Sequence, residues 1–149
     1  MKGCPMNYDA LKLKNQLCFP LYAVSKEVTR LYKPFLDPLN LTYTQYITMM
    51  VLWENDGLNV KSLGEKLFLD SGTLTPLLKK LEIQGLLTRT RSKDNERNVF
   101  ISLSEKGWNL RDEALRVPEQ IIQCLKIDPE DASVLYRVLN KLLEHGITK

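Results

Sequence analysis

Apolar residues recur at helical spacing along most of this chain and alternate as strands do in one short stretch. Between Tyr8 and Phe35, Leu17, Leu21, Val24, Val28, Leu31 and Phe35 follow in steps of four and three, which predicts one long amphipathic helix. Pro20 lies inside that run and predicts a bend or an opened turn. A second helix fits Tyr43 to Asn55, rich in Ile47, Met50, Val51 and Trp53. Asn59 is a cap for residues 60–67, where Val60, Leu63 and Leu67 share a face. Asp70 or Ser71 caps the next helix, whose inward stripe is Leu74, Leu77, Leu78 and Leu81 and whose end is Gly85. Pro76 sits about one turn inside that cap, where it removes few helical hydrogen bonds. Residues 87–91 and 98–103 alternate as strands around a polar turn at 92–97. Ser104 then starts a long helix through Cys124, and Asp128-Pro129-Glu130-Asp131 starts the last one. In that last helix Val134, Val138 and Leu142 run beside Leu135, Leu139 and Leu143, giving a broad apolar face.

These elements predict a mainly α fold with a small β-hairpin wing, a winged helix-turn-helix over residues 43–103 within one domain of 1–149. The helix after Asp70 has the size and chemistry to lie in a major groove. Its outward face carries Ser71, Thr73 and Thr75 early, where base edges would be close, then Lys79 and Lys80, where phosphates would be. Arg89 belongs to the basic hairpin, which would reach the neighbouring minor groove. The plainer alternative is a helical pair followed by a surface hairpin, and the basic hairpin weighs against it. Helices over 8–36 and 104–146 supply more apolar surface than a small winged reader needs, so they are expected to form a homodimer interface. The competing reading is a larger monomeric core. A two-fold dimer would present two reading helices to a palindromic operator in double-stranded DNA, with half-sites roughly 34 Å apart.

Composition narrows the class. With 149 residues and 44% hydrophobic content the chain is long enough to bury a core. No stretch nears the ~20 apolar residues that span a bilayer, and the first ten residues lack a signal-peptide core, so a cytoplasmic protein without membrane contact is expected. The net charge of +3 is small, but residues 61–97 hold 8 Lys/Arg against 5 Asp/Glu, an excess equal to that of the whole chain. Cys4, Cys18 and Cys124 show no paired short spacing and His145 is the one histidine, so no metal site and no cofactor is expected. Nothing resembles a phosphate loop or a nucleophile elbow, and the chain is not expected to be an enzyme.

Cys18 lies in Asn15-Gln16-Leu17-Cys18-Phe19, one position off the apolar stripe. A free cysteine there is ordinarily just a small hydrophobe. Here a resemblance changes the reading. The chain resembles the MarR-family winged-helix regulators and, within them, the organic-hydroperoxide sensors called OhrR. The match is densest in residues 15–19, in Leu36-Asp37-Pro38-Leu39-Asn40-Leu41-Thr42-Tyr43, in Leu69-Asp70-Ser71-Gly72-Thr73-Leu74-Thr75-Pro76-Leu77-Leu78 and in 94–99. MarR proteins in general share the wing pattern but not the early cysteine with its tyrosines. The resemblance implies that Cys18 is the peroxide-reactive residue and that Tyr32 and Tyr43 hydrogen-bond to it across the dimer. It also implies that Arg97, braced by Asp94, enters the minor groove. Cys124 matches a second cysteine found in some relatives, which resolves the sulfenic acid into an inter-subunit disulfide.

Helix geometry agrees with the cross-dimer arrangement. Cys18 and Tyr32 are 14 residues apart, so on one continuous helix they share a face but sit roughly 21 Å apart. An antiparallel partner helix would bring them together. A thiolate is the reactive form of cysteine, and phenol donors favour it. Tyr22, one turn beyond Cys18, is a weaker candidate for the same pocket. The expected function is a repressor that leaves its operator when an organic hydroperoxide oxidises Cys18. Two alternatives stand beside it: a regulator gated by a small aromatic ligand with Cys18 inert, and a thiol peroxidase.

Overall fold

A computed structural model describes residues 8–92 and 98–146. Its elements are α1 (Cys18–Leu31), α2 (Lys33–Leu36), α3 (Tyr43–Glu54), α4 (Val60–Leu67), α5 (Ser71–Ile83), β1 (Leu87–Arg91), β2 (Val99–Leu103), α6 (Glu105–Ala114), α7 (Val117–Cys124) and α8 (Pro129–Lys141). The architecture is a mainly α winged helix-turn-helix, with α4 and α5 as the helical pair and β1–β2 as the wing. Local chemistry sets most of the helix starts. Asn59 accepts from the Ser62 N–H at 2.8 Å, Asp70 from Thr73 at 2.9 Å, and Ser104 from Gly107 at 3.0 Å. Thr42 and Gln45 close a reciprocal capping box on α3. Gly85, with φ of 74°, ends the α5 segment in the left-handed region as expected.

The core gathers the inward faces of these helices around α3 and α5. Met49, Leu52, Leu63, Leu74 and Leu81 are fully buried, and the predicted leucine stripe of α5 is entirely inward. The strands pair antiparallel from Leu87↔Leu103 to Arg91↔Val99. The segment before α4 fastens onto them: Ile101 N–H donates to Leu58 O at 2.8 Å, and Leu103 N–H to Asp56 Oδ1 at 2.9 Å. These bonds tie the segment before the helix-turn-helix to the wing.

Two of the expected long helices are divided. The first starts at Cys18 rather than Tyr8, after short 3₁₀ turns at Asp9–Leu11 and Leu13–Asn15. Pro20 consequently lies in the first turn of α1, where its missing N–H costs no hydrogen bond. Helix α1 gives way to α2 at Tyr32, with Pro34 at the second position of α2. The helix expected from Ser104 through Cys124 breaks at Leu115 and Arg116, because Pro118 cannot donate to the Ala114 carbonyl. Cys124 is thus the last residue of a short helix.

Helices α1 and α8 are different from the rest, since neither buries a single residue. On α1 the side chains of Leu21 and Val24 are exposed, and on α8 those of Val134, Leu135 and Val138, the last by 47%. Among the described residues no helix is long and apolar enough to cross a membrane.

Candidate functional site

Helix α5 presents one polar face. Ser71, Thr73, Thr75, Lys79 and Lys80 are all exposed on it. The cap at its start does more than begin the helix. Thr73 donates both its N–H and its hydroxyl to the Asp70 carboxylate, each at 2.9 Å. Those two bonds hold the Asp70 carboxyl below the usual range. The Thr73 hydroxyl proton is therefore committed, and outward it offers acceptor lone pairs.

Arg89 is engaged within the protein. Its Nε lies 2.8 Å and its second guanidinium nitrogen 2.6 Å from Glu82 Oε2, while its backbone N–H donates to Glu82 Oε1 at 3.1 Å. Glu82 stands on the last turn of α5 and Arg89 on β1, so the pair ties the helix to the wing. The guanidinium hydrogen bond depresses the Glu82 carboxyl. Asp94 and Arg97 lie outside the described residues.

The residues expected to form a thiol site stand at the two ends of one helix. Cys18 opens α1 and Tyr32 caps its far end, a separation of roughly 21 Å. Cys18 is exposed, as is Cys124, and both are free thiols. Tyr32 is instead joined to Tyr43, the first residue of α3, their rings edge-to-face with centroids 4.9 Å apart. Burial raises the pKa of both phenols, and the nearby Tyr43 raises that of Tyr32 further. Both stay protonated donors at neutral pH. Tyr22 is exposed on the Cys18 end of α1 and remote in sequence from the pair.

Comparison with known proteins places this arrangement in a family. The family model described as transcriptional regulator SarA/Rot matches residues 30–114. The organic hydroperoxide resistance transcriptional regulator of Bacillus subtilis is 53% identical over 92% of this chain and 93% of its own length. The chain belongs to the SarA/Rot family of MarR-type transcriptional regulators. Its fold is shared with AbfR, a protein of Staphylococcus epidermidis. The structure of reduced AbfR bound to DNA matches with a TM-score of 0.75 and 35% identity, covering 97% of this chain and 100% of that one. The disulfide-formed structure of AbfR matches with a TM-score of 0.63 and 35% identity, covering 91% and 95%. Such relatives are regulators rather than enzymes, which removes the thiol-peroxidase alternative.

Three features of this regulator escaped the sequence. Tyr46 packs on Tyr32, with centroids 5.9 Å apart; it read only as part of an apolar helix. Trp53 Nε1 donates to Gly107 O at 2.8 Å, joining α3 to α6. The Glu82–Arg89 pair joins residues on two different elements, a relation that helical and strand periodicities cannot express. A signal for Gly107 was present, since a glycine inside a helix points to a close approach. A Cβ there would collide with the Leu86 carbonyl oxygen.

Proposed function

We propose that this regulator is a homodimeric DNA-binding repressor that senses organic hydroperoxides through Cys18. The observation that carries the reading is the separation within one chain. Tyr32 and Tyr43 form a preassembled pair of phenol donors, while the exposed thiol they suit lies at the opposite end of α1. A second copy running antiparallel along α1 completes the site. Such a copy also covers what is otherwise unexplained, the exposed apolar residues of α1 and α8.

The chemistry follows from the thiolate. Cys18 Sγ attacks the distal peroxide oxygen, an S–O bond forms and the O–O bond breaks. The sulfur is oxidised by two electrons to a sulfenic acid, the peroxide is reduced to an alkoxide, and the alkoxide takes a proton to leave as the alcohol. A second thiol then condenses with the sulfenic acid, releasing water and forming a disulfide. Cys124, exposed at the end of α7, is the resolving thiol in this reading. The AbfR structures support assigning release to the disulfide step. Overoxidised and reduced AbfR have both been seen bound to DNA, and the present fold matches those two better than the disulfide form.

DNA is held by Ser71, Thr75, Lys79 and Lys80 on α5 together with the hydroxyl oxygen of Thr73. Arg97, with Asp94, is assigned to the minor groove by the resemblance. Arg89 acts indirectly, by fixing the wing to α5. A gel shift tests the proposal: reduced protein retards a palindromic operator and hydroperoxide abolishes the shift, whereas C18S retards it under both conditions. Retention of the wild-type shift after complete conversion of Cys18 to the disulfide sinks the reading.

A further inference from the structure

Tyr32 has a structural problem. It stands at the junction of α1 and α2, outside the regular interior of either helix, yet a phenol that donates to a thiolate must be held in direction, because hydrogen bonds weaken steeply off axis. Two rings hold it. Tyr43 meets it edge-on, and Tyr46, one turn further along α3, lies against it with a 42° interplanar angle. Tyr46 is only 3% exposed, so its own ring has no freedom to give way. Behind it stands Trp53, edge-on at 6.5 Å, and Trp53 is fixed in turn by its bond to Gly107 O. The row Tyr43, Tyr32, Tyr46, Trp53 thus ends on rigid backbone. The phenol groups also share one region, since Tyr32 and Tyr43 each disfavour ionisation of Tyr46.

Resting on the redox reading above, we propose that Tyr46 is a positioning residue of the sensor. Its buried ring holds Tyr32 in register with Tyr43, so that the two hydroxyls meet the Cys18 thiolate of a second copy as a fixed pair. Tyr46 reaches the sulfur through Tyr32 and has no contact of its own to make. The ring carries the role, and the Tyr46 hydroxyl does not.

The test uses the full-length dimer with Cys4→Ser and Cys124→Ser, leaving Cys18 as its one thiol. Cumene hydroperoxide is the oxidant, and the rate of sulfenic acid formation is followed by dimedone capture across a range of pH. Tyr46→Phe keeps the ring and is expected to react within about two-fold of the parent. Tyr46→Leu removes the planar face and is expected to slow oxidation by about ten-fold or more, as a small misplacement of a reacting group does. Its pH profile shifts to higher pH, because the thiolate has lost its aligned donors. Operator binding by the reduced protein stays intact, which a loss of fold would not allow. Tyr46→Met fills the space with a flexible chain and gives the same answer if the leucine variant does not fold.

Parent-like rates and pH profile in the leucine or methionine variant overturn the inference. So does equal slowing by Tyr46→Phe, which would put the role in the hydroxyl. If the parent itself is not oxidised, the redox reading fails and takes this inference with it.

Discussion

The Glu82 carboxylate receives the Arg89 main-chain N–H at 3.1 Å and the same residue's guanidinium at 2.6 and 2.8 Å. One side chain of the reading helix thereby fixes both the edge and the side chain of the first wing strand. The pair is half-buried, and because it bridges two elements its value lies in the angle it sets. Glu82→Gln is expected to weaken operator affinity several-fold by loosening the wing, while the rate of Cys18 oxidation stays unchanged. Arg89→Lys should behave alike, since an ammonium cannot reproduce the guanidinium fork. Fluorescence anisotropy on labelled operator, run beside a thiol-oxidation assay, checks both.

Acid should loosen the same brace. The folded Glu82 carboxyl titrates below its ordinary value because Arg89 bonds to its charged form. Its contribution is therefore present above the unfolded value and is lost as pH falls through the folded one. Asp70, depressed by Thr73, changes in the same direction at the start of α5. Hydrogen exchange of the Arg89 and Thr73 amides should accelerate, relative to the core, as the pH is lowered through the carboxylate range. In Glu82→Gln the Arg89 amide should show no such step.

Alkali acts on the tyrosine row instead. Tyr32, Tyr43 and Tyr46 all titrate above the ordinary 10.0 in the folded chain, chiefly because they are buried. The stability tied to them is complete below that value and is lost as pH rises through the folded values. The melting temperature should fall across this range, and the fall should shrink in Tyr46→Phe.

Gly107 is a steric requirement. Gly107→Ala places a methyl against the Leu86 carbonyl oxygen, and overpacking of this kind costs about 1–3 kcal/mol. The same change disturbs the acceptor of Trp53, so loss of stability should come with a shift in indole fluorescence. Denaturant unfolding followed by tryptophan emission reads both.

The uncovered faces predict their own test. A charge at Leu135→Asp or Val138→Asp lies on no intrachain core, so it should leave helix content intact. It should instead convert a dimer to single chains in sedimentation and weaken binding to a palindrome far more than to one half-site.

Local chemistry was legible in the residues. Asn59 caps the helix it was expected to cap, Asp70 rather than Ser71 caps the next, and Ser104 and Asp128 cap helices where starts were expected, because a cap is decided within three or four positions. The leucine stripe of α5 and the two strands were legible for the same reason. Helix length was less so. Apolar spacing suggested one helix from Ser104 to Cys124, while Pro118 divides it. At the other end, Leu11 falls off the stripe, and α1 starts only at Cys18. The distance from Cys18 to Tyr32 could be read directly, since a helix fixes its own rise. Contacts between elements could not. Glu82 with Arg89, Tyr46 with Tyr32, and Trp53 with Gly107 arise only once the elements have packed.

In the proposed sensor, a disulfide at Cys18 ends the grip on the operator. The direct measurement is a titration of the operator-bound dimer with cumene hydroperoxide, following anisotropy of labelled DNA and the mass of the Cys18 peptide in the same samples. Release should track formation of the disulfide at Cys18, and C18S should stay bound throughout. Release from C18S at the wild-type peroxide concentration would contradict the account.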